Sequence, residues 1–300
     1  MFVAAKASRF AAPFAAFQPF KSLGLIAAYQ MLRAVPGTRE FRRGLRDSAW
    51  LSEADATVVS FPKSGRTYVR AMLARLYQRR FGIDERALLE FPLLRRGPEA
   101  APRLFFTHAG DAMRRPDEIS IDPSDYAHTR LVLLARHPGD IAISRYHHLQ
   151  HRSSNRARKQ LAEQPLEAFI WTEQGGIPSI VHFLNQFARI PGIMIIEYES
   201  FLLDPAKALT KLASGIGLDV TREDIDDAVE FALLSNLRKL EREGYFTSSR
   251  LRRHRKDDDK SGKVRNGSSG SYRTDLSPGE AGLVESYLHE HLDARFHWPN

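Results

Sequence analysis

Within Phe61-Pro62-Lys63-Ser64-Gly65-Arg66-Thr67-Tyr68 stand a lysine, two hydroxyls, a glycine and an arginine. That set suits an anion, because an ammonium supplies charge, hydroxyls donate hydrogen bonds and glycine lets backbone N–H groups come close. Thr57, Val58 and Val59 form a β-branched run that predicts a buried strand, ended by Pro62. From Thr67 onward, Val69, Met72, Leu73 and Leu76 fall at i, i+3, i+4 and i+7, the spacing of one helical face. A strand, a Lys-Ser-Gly turn and a helix would bring the helix N–H groups, the positive dipole end, Lys63, Ser64 and Thr67 to one concavity suited to a phosphate. The Walker A loop carries its lysine after the second glycine, whereas Lys63 precedes Gly65. Taken alone, the stretch also fits an ordinary α/β turn with an exposed lysine.

A second cluster is Leu-Leu-Ala-Arg-His-Pro-Gly-Asp-Ile-Ala-Ile-Ser-Arg-Tyr, residues 133–146, in which Arg136 ends an apolar run and Ser144 lies on the following helix. A guanidinium presents a fixed fork to phosphate oxygens and a serine adds a donor; a surface ion pair is the other use of such an arginine. The third cluster is Arg265-Asn266-Gly267-Ser268-Ser269-Gly270-Ser271-Tyr272-Arg273, whose glycines permit a backbone nest for an anion.

The first cluster resembles the phosphosulfate loop of the sulfotransferases, usually Tyr-Pro-Lys-Ser-Gly-Thr-Thr-Trp. The second is similar to that family's Arg-x-Pro-x-Asp-x-x-x-Ser-x-Tyr. The third is similar to its Arg-Lys-Gly-x-x-Gly-Asp-Trp-Lys, with Asn266, Ser271 and Tyr272 as departures. Ile195 to Pro205 resembles Tyr-Glu-Asp-Leu-x-x-Asp-Pro, whose tyrosine is Tyr198 here, while Ala232-Leu233-Leu234 does not match the family's adenine segment. The four matches run in the family's order from residue 56 to residue 273.

The resemblance implies 3′-phosphoadenosine 5′-phosphosulfate as donor, with no metal required, and adenosine 3′,5′-bisphosphate as spent product. By the same resemblance Lys63, Ser64, Gly65, Arg66 and Thr67 hold the 5′ end, and Tyr68 and Tyr198 meet the adenine. Arg136, Ser144, Arg265, Asn266 and Gly267 hold the 3′-phosphate. Catalysis of an in-line sulfuryl transfer then falls to Lys63, which neutralises charge on the leaving phosphate, and to a base that takes the acceptor's proton. His108, in Phe-Phe-Thr-His, stands where many members read Lys-Thr-His; Phe106 replaces the lysine, and Asp111 is the nearest substitute base.

The elements that must position these residues are legible as patterns. Arg103 to His108, Leu131 to Ala135 and Ile193 to Ile196 read as further strands, their continuous apolar runs fitting a sheet covered on both faces. Helices are expected from Pro138, over Pro165 to Glu173 and Pro178 to Arg189, after Asp204-Pro205, after Thr221, and from the Ser277-Pro278-Gly279-Glu280 box to about Leu292. Phe81 to Pro102 reads as a connection with one short helix, and Ser248 to Gly270 as a mobile segment or a functional lid. The alternation predicts an α/β fold: a three-layer parallel sheet with helices on both faces, P-loop NTPase-like as in the sulfotransferases.

The chain has 300 residues, 44 Lys and Arg against 36 Asp and Glu, and no cysteine. That length is enough for the core of one large domain, and residues 51–300 are expected to form it. The basic balance fits an anionic ligand, a nucleic acid or an anionic membrane, and the lack of cysteine is compatible with a reducing cytosol. Residues 1–50 hold Lys6, Arg9, Lys21, Arg33 and Arg39 before the first acidic residue, Glu40. They read as a basic arm that lies on a lipid surface, peripheral at the inner membrane, or packs on the domain or on a second subunit of an oligomer. Neither a span of roughly 18 apolar residues nor a signal peptide is predicted.

His147 and His151 share a helix face, but no third ligand is evident, and Arg250 to Arg255 lacks any nucleic-acid signature. The acceptor is expected to be a small molecule, lipid or saccharide chosen by residues 81–102, 111–128, 151–165 and 245–263. Two other readings remain at this point: a Mg-dependent nucleotide kinase, and a non-enzymatic basic protein that binds membranes or nucleic acid.

Overall fold

A computed structural model of the chain describes residues 24, 25, 27, 28, 30, 31, 39–110, 114–152, 159–248, 250, 251 and 269–298. The chain divides into Met1–Glu53 and Ala54–Asn300. In the first unit, α1 (Arg39–Glu53) is amphipathic, and the Arg46 guanidinium lies 4.7 Å over the Trp50 ring. Most of the basic arm lies outside the described residues. Among the described residues no helix is long and apolar enough to cross a membrane.

In the second unit the order is β1 (Ala56–Val59), α2 (Arg66–Phe81), α3 (Phe91–Leu94), β2 (Leu104–Thr107), β3 (Arg130–Ala135), α4 (Pro138–Arg152), α5 (Leu166–Phe169), α6 (Ile177–Ala188) and β4 (Met194–Glu197). Then come α7 (Tyr198–Leu203), α8 (Pro205–Gly215), α9 (Arg222–Phe231), α10 (Leu234–Arg242), α11 (Ser271–Asp275) and α12 (Pro278–His291). The strands form one parallel sheet in the order β2-β1-β3-β4, with Val58 opposite both Phe106 and Val132 and Leu133 opposite Ile195. All four predicted strands are present, within a residue or so of the expected ends.

Alternation along the strands sorts the core into two layers. Val58, Leu104, Phe106, Val132, Leu134 and Ile196 join one cluster with α2, α8 and α9. The intervening residues, Leu133 among them, face the other layer, where α6 packs against β3 and sets the Phe183 and Phe187 rings 4.9 Å apart, tilted at 50°. Each fully covered Leu, Val or Met contributes about 1.5–3 kcal/mol of transfer free energy. The expected apolar face of α2 is buried, but Arg70, Ala71, Ala74 and Tyr77 are buried as well, so the helix is enclosed rather than half-exposed. Arg75 bonds Asp227 at 2.6 Å and Arg79 bonds Asp224 at 2.8 Å, which fastens α9 along α2.

Caps behave as local chemistry dictates. Asp204 accepts from the Lys207 N–H, Thr221 forms a reciprocal box with Asp224, and Ser277 accepts from the Glu280 N–H. The expected helix from Pro165 to Glu173 is corrected to the single turn α5: the Thr172 hydroxyl bonds the Phe169 carbonyl at 2.8 Å, and Gly175 turns the chain at φ +81°.

Candidate active site

β1 has β2 on one side and β3 on the other, so chain direction across the sheet reverses between β1 and β3. A crevice beyond the carboxyl ends of two such strands is where α/β sheets take ligands. The turn after β1 and Arg136 after β3 border it, and Arg136 Nη1 donates to the Lys63 carbonyl across it at 3.0 Å.

Two residues of the turn have left-handed backbone, Lys63 at φ +81° and Gly65 at φ +78°. At lysine this costs about 1–2 kcal/mol, strain that the Arg136 bond helps to hold in place. Gly65 is required twice over, since a β-carbon there would also overlap the Tyr198 ring. As the N-cap of α2 it has no side chain to close the helix, and the first turn of α2 contains no acidic residue. The Tyr68 and Val69 N–H groups of that turn bond back to the Gly65 carbonyl at 2.9 and 3.3 Å, and the start of the turn carries the positive field of the helix dipole with no acidic side chain to offset it. Ser64 is fully buried, and its hydroxyl makes no hydrogen bond among the described residues. An uncapped helix start beside an orphaned buried hydroxyl fits an anionic group of a ligand.

Arg136 organises the neighbouring ground. Its guanidinium lies 5.0 Å from the Tyr198 ring centre, and Tyr198 meets Tyr68 edge to face at 6.3 Å. Burial pushes up the phenol pKa of both tyrosines, so each stays neutral. Arg136 Nη2 is 3.6 Å from Asp140, a fully buried carboxylate. Asp140 accepts from the Gly270 N–H at 2.8 Å, the Ser271 hydroxyl at 2.8 Å and the Tyr272 N–H at 3.2 Å. It thus caps α11 from a distant part of the chain and brings the end of the third glycine cluster beside Arg136. Ser144, half-buried one turn beyond Asp140, shares its helix face. Arg265, Asn266 and Gly267 lie outside the described residues, as does Asp111.

His108 follows β2. Its Nδ1 is 2.7 Å from the Ser60 carbonyl, and its Nε2 is 2.6 Å from Arg66 Nη2. Phe106, where the resemblance expects lysine, carries the Arg70 guanidinium 4.4 Å over its ring. Arg70 serves the fold: it donates to the Leu88 and Leu89 carbonyls, and burial drives its pKa down. Among the described residues no cluster of three metal-ligating side chains occurs; His147 bonds Asp275 at 3.1 Å and stacks on His151.

Sequence reasoning missed the residues behind Arg136. Glu199 accepts from the His137 backbone N–H at 3.0 Å and from the Trp298 indole at 2.9 Å, fixing the end of β3. Burial, ahead of opposing hydrogen bonds, raises its pKa. His137 stacks on Tyr272 at 4.3 Å and 8°, and burial lowers its pKa to about 4 against the pull of Glu285 and Asp140, so it is neutral. Gly139 lets that Tyr272 ring approach, since a β-carbon would come 2.8 Å from it. The signal was present in the Arg-His-Pro-Gly-Asp and Glu-Tyr-Glu strings, but only the sheet brings them together.

The sulfotransferase domain family matches residues 53–295, and the chain belongs to that family. It is therefore a transferase with the α/β parallel-sheet fold of that family, and neither the kinase nor the non-enzymatic reading is supported. Cytosolic sulfotransferase 3 of Arabidopsis thaliana is 24% identical over 223 residues, 68% of this chain and 67% of its own length. Cytosolic sulfotransferase 10 of the same plant is 23% identical over 288 residues, 80% of this chain and 78% of its own. The amine sulfotransferase of Oryctolagus cuniculus is 23% identical over 221 residues, 66% of this chain and 68% of its own. Among solved structures, mouse sulfotransferase SULT7A1 complexed with PAP superposes with a TM-score of 0.54 at 15% identity, covering 81% of this chain and 86% of that one. Retinol dehydratase in complex with androsterone and PAP gives 0.53 at 17%, covering 87% and 88%.

Proposed function

We propose that the chain moves a sulfuryl group from 3′-phosphoadenosine 5′-phosphosulfate to a hydroxyl or amine of a small-molecule, lipid or saccharide acceptor. The donor supplies the activated sulfuryl group at its 5′ end. Ser64, Gly65, Arg66 and Thr67 bind that end through backbone and side-chain donors, and Lys63 neutralises the charge that builds on the leaving phosphate. Arg136, Ser144, Arg265, Asn266 and Gly267 hold the 3′-phosphate. Tyr68 and Tyr198 flank the adenine, and His108 Nε2 takes the acceptor's proton. No metal is assigned a role.

The single observation that carries this reading is the Arg136 bond to the Lys63 carbonyl, because it joins the turn proposed for the donor's 5′ end to the arginine proposed for its 3′-phosphate. Residues 51–300 are proposed as the transferase domain, working in the cytosol. The basic residues 1–50 would contact the inner membrane surface, the domain or a second copy.

Calorimetric titration with adenosine 3′,5′-bisphosphate tests the donor site, and a labelled-sulfate screen then finds the acceptor. Absence of nucleotide binding rejects the reading. His108→Ala is expected to keep nucleotide affinity while losing turnover by at least about 100-fold. Near-normal turnover in that variant would remove His108 from the mechanism and leave the donor site standing.

A further inference from the structure

We propose that Arg66 is a positioning residue that latches His108: it covers the imidazole's basic nitrogen in the donor-free protein and releases it when an anion enters the turn. This rests on the reading above, in which His108 is the base and the turn takes the donor's 5′ end.

The tautomer is set by the partners. The Ser60 carbonyl can only accept, so Nδ1, 2.7 Å away, carries the proton. A proton on Nε2 as well would face a guanidinium N–H at 2.6 Å, donor against donor and cation against cation. His108 is therefore neutral, and the Nε2 lone pair accepts from Arg66 Nη2. A guanidinium has no lone pair to offer and does not deprotonate in proteins, so it cannot relay a proton. While the bond stands, His108 has no site at which to receive the acceptor's proton.

The same guanidinium belongs to the anion turn. Arg66 is the first residue of α2 and comes directly after Gly65. An anionic oxygen at the helix start offers it charge-assisted, two-pronged hydrogen bonds, which are stronger than a single bond to a neutral ring nitrogen. Entry of the donor would draw Arg66 away from Nε2. Base availability would thus depend on the donor being in place, a coupling that neither residue has alone. Both residues are half-buried, so the change is a side-chain movement near the surface and leaves the core intact.

The test is nitrogen NMR on protein labelled with ¹⁵N-histidine, the His108 signals assigned by their absence in His108→Ala. Wild-type protein is expected to show a protonated Nδ1 and a hydrogen-bonded, unprotonated Nε2. Saturation with adenosine 3′,5′-bisphosphate is expected to move Nε2 toward the position of a ring nitrogen without that donor. Arg66→Met should start at the second position and move little, and should raise the donor KM at least about ten-fold. If Arg66→Met does not fold, Arg66→Lys, whose shorter point charge cannot reproduce the fork, serves with the same expectation. Nucleotide that binds by calorimetry yet leaves Nε2 unmoved overturns the latch alone, as does a proton found on Nε2 in the free protein. Nucleotide that does not bind overturns the latch together with the donor site.

Discussion

Asp140→Ala is the most informative single change, because one buried carboxylate holds three donors, from Gly270 and the first two residues of α11, and faces Arg136. Charge-assisted hydrogen bonds are worth about 1.5–3 kcal/mol each, but they are not additive, and stripping one partner from a buried ionic group costs about 3–5 kcal/mol. The whole-protein loss is placed in that second range. Asp140→Asn keeps an acceptor at Oδ1 but turns an NH₂ toward the Gly270 N–H and Arg136, so it should lose about half as much. A separate consequence concerns binding. Gly270 ends the segment that carries Arg265 through Gly267, and cutting its tether should weaken adenosine 3′,5′-bisphosphate about 10- to 100-fold, or about 1.4–2.8 kcal/mol. Denaturant unfolding gives the first quantity, calorimetry on the folded variant the second. A variant that is destabilised yet binds nucleotide like the wild type would refute the claim that Asp140 positions the segment proposed to hold the 3′-phosphate. A variant unchanged in both would refute the energetic argument too.

Two further outcomes rest on the geometry. Gly65→Ala forces a β-carbon into left-handed backbone and into the Tyr198 ring, and should cost about 2–4 kcal/mol of stability and abolish nucleotide binding; wild-type unfolding would show that the turn relaxes freely. His137 titrates near 4 in the folded protein against about 6.5 unfolded, so the unfolded chain binds the extra proton between those values. Stability is full above about pH 6.5 and falls by up to about 3 kcal/mol as pH drops to 4. His137→Phe, which retains a ring against Tyr272, should flatten that slope, and an identical slope would assign the acid loss to other groups.

The features legible before folding were those that local chemistry decides. Leu131 to Ala135 is legible because a strand buried on both faces must be apolar at every position, and Asp204, Thr221 and Ser277 because a cap bonds an N–H within its own turn. The Lys63-Ser64-Gly65 turn was legible for the same reason, since Gly65 stands where left-handed backbone needs it. α7 and α11 were not: α11 is a single short turn whose cap, Asp140, lies 131 residues before Ser271. The helix expected to reach Glu173 failed because Thr172 and Gly175 end it with bonds of their own.

The Arg66–His108 contact is the clearest case of chemistry hidden from the linear chain. The two residues are 42 positions apart. They meet only because β1 and β2 are parallel neighbours with Val59 opposite Thr107, which sets the two strand ends, and the residues just beyond them, at the same rim. Had β3 been inserted between them, His108 would stand a further strand spacing of about 4.8 Å away, beyond hydrogen-bond reach of the turn. Strand order, more than residue type, therefore decides which cation His108 meets. Arg136 illustrates the same rule on the other side of β1, where the neighbouring strand end delivers it to the Lys63 carbonyl. Each strand beside β1 thus delivers one polar side chain to the segment that follows it: the Arg136 guanidinium after β3 steadies the strained turn, and the His108 ring after β2 meets Arg66.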